Sequence, residues 1–419
     1  MIKTLHLHNI GPAPDLEAEF GERLNVITGD NGLGKTFLLD ACWFALTHTW
    51  ADQRRFYPDP AVKKADPPQL DCTIVGKDGR ATDSGAQFDF ASQEWGQVTP
   101  QPVPGLIIYA RIDGGFSVCD PARHLPYQAY QFSKAEVWNG FPADAVRPSD
   151  IICNGLLRDI EIWRLKGNGA FDLLQNVLRT ISAGEAETLR IGESVRVGLG
   201  AADIPTLIMP YGRVPVTQAA SAIKRVLGLA YLMVWAWEEH KRAAAQKQEE
   251  PSHRLVLLFD EVEAHLHPKW QRTFLPALAG VTESLLMKEA AKSIQIIATT
   301  HAPLVLASVE SLWDEDRDQL FDLDLENGEV QLEAIDFEKH GSAEHWLSSD
   351  SFDLPSGYSV EAQGAIDRAD AFMRTHPDPR MAPPNDMGAI HSALRKALGG
   401  DDEYWPYWIP YHDQGRVPQ

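Results

Sequence analysis

The stretch from Gly29 to Thr36 constrains this chain more than any other part of its sequence. It reads Gly-Asp-Asn-Gly-Leu-Gly-Lys-Thr and fits the pattern G-x-x-x-x-G-K-[ST]. The apolar run Leu24 to Thr28 before it predicts a buried strand, and Phe37 to Leu46 after it predicts a helix. A strand, a glycine-rich loop and a helix in this order aim backbone N–H groups at phosphates. The sequence therefore predicts that the chain binds a nucleoside triphosphate.

Each residue type in this loop suits phosphate binding. Glycines let a backbone curl round an anion without Cβ clashes. Lys35 is predicted to reach the β- and γ-phosphates, and Thr36 to hold Mg²⁺ through its hydroxyl. The expected ligands are therefore a nucleoside triphosphate and Mg²⁺. The remaining residues predicted to surround the phosphates are Gly29, Asp30, Asn31, Gly32, Leu33 and Gly34.

A second motif supplies the carboxylates that a hydrolytic site of this kind requires. The apolar run Leu255 to Phe259 is typical of a central parallel strand, and it ends in Asp260 and Glu261. Asp260 is predicted to bind the Mg²⁺ shell through water, and Glu261 to orient and deprotonate the attacking water. Taken alone, two acids after a strand fit an ordinary surface turn equally well. The phosphate-binding loop upstream favours the catalytic interpretation.

A histidine follows the next predicted core strand, Ile294 to Ala298, within the segment Thr299 to Pro303. Ligands of open α/β sheets bind at the carboxyl ends of the strands. His301 is therefore predicted to donate a hydrogen bond to the γ-phosphate. The alternative is a loop histidine that caps the following helix.

Two further histidines, His265 and His267, lie close to carboxylates and could suggest a metal site. Their spacing does not fit the H-E-x-x-H helix, and the sequence shows no obvious third ligand. We interpret this segment as a loop at a subunit interface beside the active site.

Composition limits the partners that this chain can have. The 419 residues carry a net charge of −21. Phosphate contacts need clustered lysines and arginines, so a broad nucleic-acid-binding face is not expected. Arg54-Arg55 with Lys63-Lys64 could form a local basic patch, although such pairs are more often solvated surface. Direct nucleic-acid binding therefore remains an alternative, but the net charge of the chain does not support it.

The sequence also favours a cytoplasmic protein that does not span a membrane. Residues 1–6 lack an apolar signal core. The longest apolar run, Val226 to Trp237, is shorter than the roughly 20 residues that a spanning helix needs. Four cysteines without a C-x-x-C pair suggest a reducing compartment and no structural zinc. They are Cys42, Cys72, Cys119 and Cys153.

The pattern of strands and helices predicts an α/β fold with four parts. Residues 1–132 are expected to form an N-terminal lobe with antiparallel hairpins, in which Ile2 to His8 pairs with the strand that enters the glycine loop. Residues 133–215 are expected to be a helical insertion, and 216–335 a second lobe that begins with a long helix. Helices are expected at Pro268 to Leu278 and Glu283 to Lys292. Residues 336–419 are expected to be a helical extension, with an aromatic tail that either packs inward or anchors a partner protein.

These motifs together resemble the ABC-type ATPases of the RecF/SMC class. Gly29 to Thr36 matches the G-x-N-G-x-G-K-T of that class. Asp260 to Pro268 resembles the D-E-x-E-x-H-L-H-P of its AAA-21 or OLD-like branch, and Thr299 to Pro303 resembles the T-T-H-x-P switch. The resemblance covers roughly residues 1–50 and 205–310. The absence of a heptad array implies an ABC ATPase without a coiled-coil arm, similar to PtuA-like and retron-associated anti-phage ATPases.

The resemblance implies a signature segment that contacts the γ-phosphate of a partner subunit. Ala220 to Arg225 is the candidate, with Ser221 as the hydroxyl donor. Ala222 and Ile223 stand where that class has glycines, which would limit how closely this backbone approaches phosphate. OLD-like nucleases also carry a Toprim domain, and residues 335–419 show no strand followed by its acidic cluster. Nuclease activity is therefore not expected within this chain.

Three hypotheses follow. The leading one is an ATPase that dimerises around ATP and controls an effector protein, a nuclease in bacterial anti-phage defence. The second is a RecF-like DNA-repair ATPase that binds DNA directly. The third is a nucleotide-gated scaffold that binds ATP without hydrolysing it, which the altered signature segment favours.

Overall fold

The computed structural model describes residues 1–415 with several internal gaps, and these residues form two compact units that divide after Trp346. The predicted lobes 1–132, 133–215 and 216–335 all fall within the first unit, and their boundaries stay a prediction. The undescribed internal positions are 53, 59–61, 63–64, 77, 97–103, 124–127, 141–151, 168, 183, 185–187, 200–202, 286–292, 350–351, 353 and 355.

The strands of the described residues are named in chain order. They are β1 (Ile2–His8), β2 (Asp15–Glu19), β3 (Leu24–Gly29), β4 (Gln69–Val75), β5 (Ala81–Asp89), β6 (Glu94–Trp95), β7 (Leu106–Ala110), β8 (Phe116–Cys119), β9 (Tyr130–Phe132), β10 (Ile191–Arg196), β11 (Asp203–Met209), β12 (Gly212–Pro215), β13 (Arg254–Phe259), β14 (Ser293–Thr299), β15 (Gln319–Glu326) and β16 (Glu329–Ile335).

The helices are named in the same way. They are α1 (Lys35–Thr47), α2 (Lys134–Asn139), α3 (Leu156–Lys166), α4 (Ala170–Thr180), α5 (Ser221–Lys247), α6 (Pro268–Leu285), α7 (Pro303–Val309), α8 (Ala343–Leu347), α9 (Val360–Thr375), α10 (Pro384–Ala397) and α11 (Trp405–Gly415).

The largest sheet of the described residues has eight strands in the order β16-β15-β3-β14-β13-β7-β8-β9. Its central strands β15, β3, β14, β13 and β7 are parallel, and β16, β8 and β9 add antiparallel pairs at the two edges. Because β3, β13 and β14 run in the same direction, Gly29, Phe259 and Thr299 end at the same edge. This arrangement confirms the predicted α/β fold with a mixed sheet.

A second, antiparallel sheet has the order β2-β1-β4-β5-β6. The prediction that β1 pairs with β3 is therefore wrong, because β1 pairs with β2 and β4. Alternating Leu5 and Leu7 give β1 one buried face but do not select its partner. Helix α1 contacts strands of both sheets, and its Trp43 is fully buried. A helix that is apolar on nearly every side suits this enclosed position.

The segment 133–215 is not the purely helical insertion that the sequence predicts. Helices α2, α3 and α4 are followed by a three-stranded antiparallel sheet, β10-β11-β12. Its central strand contains Pro205, which cannot donate a ladder hydrogen bond. The pairing of β10 with β11 is irregular between Gly192 and Val195, opposite this proline. A bulge thus accommodates a residue that reads as a strand breaker.

The helices of the second half follow the sequence more closely. Helix α5 spans most of the predicted long helix, after a short 3₁₀ turn at Val216–Gln218. Helix α6 is one continuous element to Leu285 and includes Pro276, so the predicted break near residue 280 is wrong. Residues 286–292 of the second predicted helix lie outside the described residues. Within the described part of the chain, no helix is both long and apolar enough to cross a bilayer.

The second unit is helical, as predicted for the C-terminal extension. Its core is formed by α9, α10 and α11, and the fully buried Trp408 of the aromatic tail belongs to it. Trp405 and Tyr411 pack against the same core. Tyr407 is 72% exposed. Most of the tail therefore packs inward, and Tyr407 faces solvent.

Candidate active site

The first and second motifs meet through Thr36 and Asp260. The Thr36 hydroxyl at the start of α1 donates to both carboxylate oxygens of Asp260, at 3.1 and 3.0 Å. Asp260 is fully buried, and the Thr299 hydroxyl also donates to its Oδ1 at 3.0 Å. Burial raises the pKa of Asp260, and the hydrogen bonds from Thr36 and Thr299 oppose that shift. Hydroxyl and carboxylate oxygens of this kind are the ligands that Mg²⁺ prefers.

The glycine loop packs closely against its neighbours. Gly29 has a φ of 126°, and a Cβ at this position would lie 2.1 Å from the Leu323 carbonyl oxygen. Gly34 has a φ of 106°, and its Cβ would lie 2.8 Å from the Pro12 side chain. Both positions combine a positive φ with a close approach, so they require glycine.

Lys35 is buried and bonds to the loop itself. Its Nζ donates to the carbonyl oxygens of Gly29 at 2.6 Å and Asp30 at 2.9 Å. Burial lowers the pKa of Lys35, and nearby carboxylates, led by Glu261 and Glu263, oppose the shift. The ammonium group therefore belongs to the same electrostatic site as these carboxylates.

Glu261 follows β13 in a left-handed backbone conformation, with a φ of 45°. A non-glycine residue adopts this conformation only where its surroundings enforce it. Here the Glu261 N–H donates to the Thr299 hydroxyl at 2.8 Å, and the Val262 N–H donates to the Thr299 carbonyl at 3.1 Å. The turn follows the end of the strand at Phe259 and leaves the Glu261 side chain partly exposed.

Glu263 organises the third motif, a role that the sequence analysis missed. One carboxylate oxygen accepts the His301 backbone N–H at 2.7 Å and lies 3.0 Å from His301 Nδ1. The other accepts the Thr300 hydroxyl at 2.8 Å. The Glu263 side chain is 6% exposed and the His301 side chain 42% exposed. A proton on Nδ1 then faces Glu263, which leaves Nε2 for a ligand.

Glu263 and His301 shift each other's pKa. The hydrogen bond to Glu263 raises the pKa of His301, against a smaller lowering by burial. Burial raises the pKa of Glu263, but hydrogen bonds from His301 and Thr300 outweigh it and leave the pKa lowered. The signal for Glu263 in the sequence was a third acid two residues after Glu261.

Arg54 and Asp40 form a second buried contact beside the site. Asp40 accepts a hydrogen bond from the Tyr109 hydroxyl at 3.0 Å, and Arg54 Nη2 lies 3.6 Å from the same carboxylate. Burial raises the pKa of Asp40 to about 6, with Arg54 and Tyr109 opposing. Arg54 is thus partly buried beside Asp40, and Lys63-Lys64 lie outside the described residues, so the basic patch stays an open alternative.

The histidines of the predicted interface loop are exposed. His265 has a φ of 64°, and His267 Nδ1 accepts the Lys269 N–H at 3.3 Å at the start of α6. In the described part of the chain, no group of three or more histidine, cysteine or acidic side chains is placed to hold a metal ion.

Ser221 is the first residue of α5 and is exposed. No side chain caps this helix start, because the N-cap residue is Ala220. Ser221 lines a cavity of about 120 Å³ together with Arg111 and Lys134. This cavity lies between the β7–β8 hairpin and α5, and Phe259 at the end of β13 also lines it.

A larger cleft, of about 740 Å³, adjoins the glycine loop. Its walls are the segment 9–14, Phe37 of α1, and the aromatic rings of Phe56 and Tyr57. Pro12 of this segment contacts Gly34. The cleft therefore offers apolar and aromatic surfaces next to the predicted phosphate site.

Comparisons with known proteins cover both halves of this site. Residues 4–69 match the family described as "AAA domain", and residues 212–307 match the family described as "AAA domain, putative AbiEii toxin, Type IV TA system". The first range contains Lys35 and Thr36, and the second contains Asp260, Glu261 and His301. These matches support a P-loop ATPase domain.

Curated relatives match over short segments. The chain is 41% identical over 56 residues to the retron Vc95 probable ATPase of Vibrio cholerae, which is 13% of this chain and 9% of that protein. It is 49% identical over 49 residues to the DNA replication and repair protein RecF of Pediococcus pentosaceus, 12% of this chain and 13% of that protein. The aligned segments thus span about a tenth of these relatives.

Solved structures align over a larger share at low identity. The SMC head domain from Thermotoga maritima aligns with 80% of this chain and 99% of its own, at 14% identity and a TM-score of 0.41. The SmcHead bound to the C-winged helix domain of ScpA aligns with 81% of this chain and 98% of its own, at 12% identity and a TM-score of 0.45.

Proposed function

We propose that this chain binds ATP with Mg²⁺ and hydrolyses it. The observation that carries the proposal is the contact of the Thr36 hydroxyl with both carboxylate oxygens of Asp260. It joins the end of the glycine loop to the end of β13, residues that are 224 positions apart. Such a pair of oxygen ligands fits a magnesium ion bound to a triphosphate.

The chain's own residues supply the rest of the chemistry. A Mg²⁺ ion held by Thr36 and Asp260 would neutralise negative charge on the phosphates. Lys35 would donate to phosphate oxygens, and His301 would donate from Nε2 to the γ-phosphate. Glu261, held at the turn after β13, would orient the attacking water and accept its proton. The cleft walled by Phe37 and Phe56 is the proposed place for the nucleobase.

The proposal includes an ATP-dependent dimer that controls an effector. An uncapped helix start has free N–H groups and a positive partial charge, which favour a phosphate supplied by a second copy. Ser221 adds a hydroxyl at this point. The local match to a retron ATPase supports an effector in anti-phage defence, and we propose a cytoplasmic nuclease as that effector.

Direct DNA binding, as in a RecF-like repair ATPase, is the second candidate because one short match is to RecF. The net charge of −21 disfavours it. Titration of duplex DNA at two salt concentrations separates the two candidates. Binding to the isolated chain that weakens steeply with salt would support the repair function.

The test of hydrolysis is Glu261→Gln. The amide keeps the size of the side chain but cannot accept the proton, so turnover should fall about 100-fold or more. ATP binding should be retained, and dimer should accumulate with ATP. Turnover is measured by phosphate release, binding by titration calorimetry and dimer by light scattering.

The matched control is Glu315→Gln, a change of the same kind at an exposed position. This variant should release phosphate like the wild type. If Glu261→Gln releases phosphate at the wild-type rate, Glu261 has no part in the mechanism. If the wild-type chain releases no phosphate, the nucleotide-gated scaffold is favoured.

A further inference from the structure

Arg225, in the second turn of α5, reaches the end of β13. Its Nη2 donates to the carbonyl oxygen of Asp260 at 3.0 Å and to that of Glu261 at 3.1 Å. Its guanidinium carbon lies 5.7 Å from the ring centroid of Phe259. One side chain therefore contacts three consecutive residues, the last of which is Glu261.

The backbone geometry explains how a single nitrogen can bind both carbonyls. Successive residues of an extended strand face opposite directions, so their carbonyls do not converge on one donor. The left-handed conformation of Glu261, with its φ of 45°, breaks that alternation. Arg225 binds the two carbonyls, while the Thr299 hydroxyl accepts the Glu261 N–H at 2.8 Å. Both the carbonyl groups and the Glu261 N–H of the turn are therefore bound by side chains.

The contact of Arg225 with the two backbone carbonyls does not by itself require a charged side chain. Two carbonyl oxygens can be satisfied by any neutral donor, whereas a buried cation carries a desolvation cost. Burial lowers the pKa of Arg225, and the nearby carboxylates of Asp260, Glu263 and Glu261 oppose the shift. Within the described residues, Arg225 Nη1 is buried and makes no hydrogen bond. The guanidinium is thus held by carbonyls and by a ring rather than by a paired carboxylate.

We propose that Arg225 is a positioning residue for hydrolysis, which holds the backbone of Glu261 so that its carboxylate addresses the attacking water. This inference rests on the proposed function. Arg225 also lies one helical turn after Ser221, on the same rigid helix. The proposal concerns only the contact of Arg225 with the Asp260 and Glu261 carbonyls.

The test uses Arg225→Lys and Arg225→Met in the full chain. Lysine keeps the charge but is shorter and has no planar group to lie over the Phe259 ring, and methionine removes the charge. Because a small misplacement of a catalytic group is costly, kcat for ATP should fall about 10- to 100-fold in both variants. The dissociation constant for ATP and the thermal midpoint of unfolding should stay close to the wild-type values. Kinetics, calorimetry and thermal melting measure these three quantities.

Arg242→Met is the matched control, because Arg242 lies on the same helix and forms an exposed ion pair with Glu239 at 2.7 Å. It should keep the wild-type kcat. Wild-type kcat in Arg225→Lys overturns the inference, whether or not Arg225→Met folds. A fall of kcat that only parallels losses of ATP binding and of thermal stability also overturns it, because that pattern describes a purely structural residue. The proposed function fails separately, if the wild-type chain itself does not release phosphate.

Discussion

The two parts of the candidate site differ in how completely one chain builds them. The hydroxyls of Thr36 and Thr299 donate to the buried carboxylate of Asp260, and the Thr300 hydroxyl donates to the buried carboxylate of Glu263. At the start of α5, Ser221 is exposed and no side chain caps the helix. A preorganised polar network acts without rearrangement, whereas an uncapped helix start acquires its partner from outside. In the proposed function, the part around Asp260 is prepared within one chain, and the start of α5 is the part that a second copy would complete.

Among the changes that compare these two parts, the largest effect is expected from Asp260→Asn, which tests the part around Asp260. Asparagine keeps the shape of the side chain but removes the negative charge that fits Mg²⁺. Turnover should fall on the order of 100-fold, as for the loss of a preorganised electrostatic group. Phosphate release at varied magnesium concentrations measures the effect. Asp401→Asn, at an exposed position, is the control, and equal magnesium dependence in the two variants would contradict the assignment.

A smaller effect is expected from Glu263→Gln, which removes the charge beside His301. Turnover should fall on the order of tenfold, as for other partners that orient a functional side chain. The raised pKa of His301 means that its charged form stabilises the fold fully below its ordinary pKa of 6.5, and that this contribution is lost as pH rises through the raised value. The lowered pKa of Glu263 keeps its own contribution present above the ordinary 4.5.

The stability difference between wild type and Glu263→Gln should therefore be largest between about pH 4.5 and 6.5 and should shrink at higher pH. Denaturant unfolding across this range measures it, and histidine resonances followed by NMR should give a lower pKa for His301 in the variant. A difference that grows toward alkaline pH would contradict the pairing.

The smallest effect is expected from Ser221→Ala, which tests the exposed start of α5. An exposed hydroxyl that makes one neutral hydrogen bond contributes about 1 kcal/mol, so turnover should fall roughly fivefold. The stability of the isolated chain should change by less than about 0.5 kcal/mol, because the site is a surface position. The rate should be followed against protein concentration. A defect that is independent of concentration would argue against a contact with a second copy.

Local patterns explain which parts of the site the sequence could predict. Lys35, Thr36, Asp260 and His301 each follow a strand with a clear apolar run, and parallel strands bring their ends to one edge. The role of Glu263 depends on the turn at Glu261, which no periodic pattern reveals. A left-handed glutamate is set by tertiary contacts rather than by its own preference.

The errors in the fold have the same origin. Apolar alternation in β1 predicts a strand but carries no information about its neighbour. Pro205 reads as a break, yet an irregular pairing accommodates it in a central strand. The acidic segments 319–326 and 329–335 were not predicted as strands, although β15 extends the main sheet beside β3. In each case the partner strand, not the local composition, decided the outcome.

The bonds of Lys35 have a consequence for the energetics of nucleotide binding. Its ammonium group already donates to the carbonyl oxygens of Gly29 and Asp30. An incoming triphosphate must therefore replace these two carbonyl oxygens as the hydrogen-bond acceptors of Lys35. The lysine contributes to affinity only the difference in strength between anionic phosphate oxygens and two peptide carbonyls.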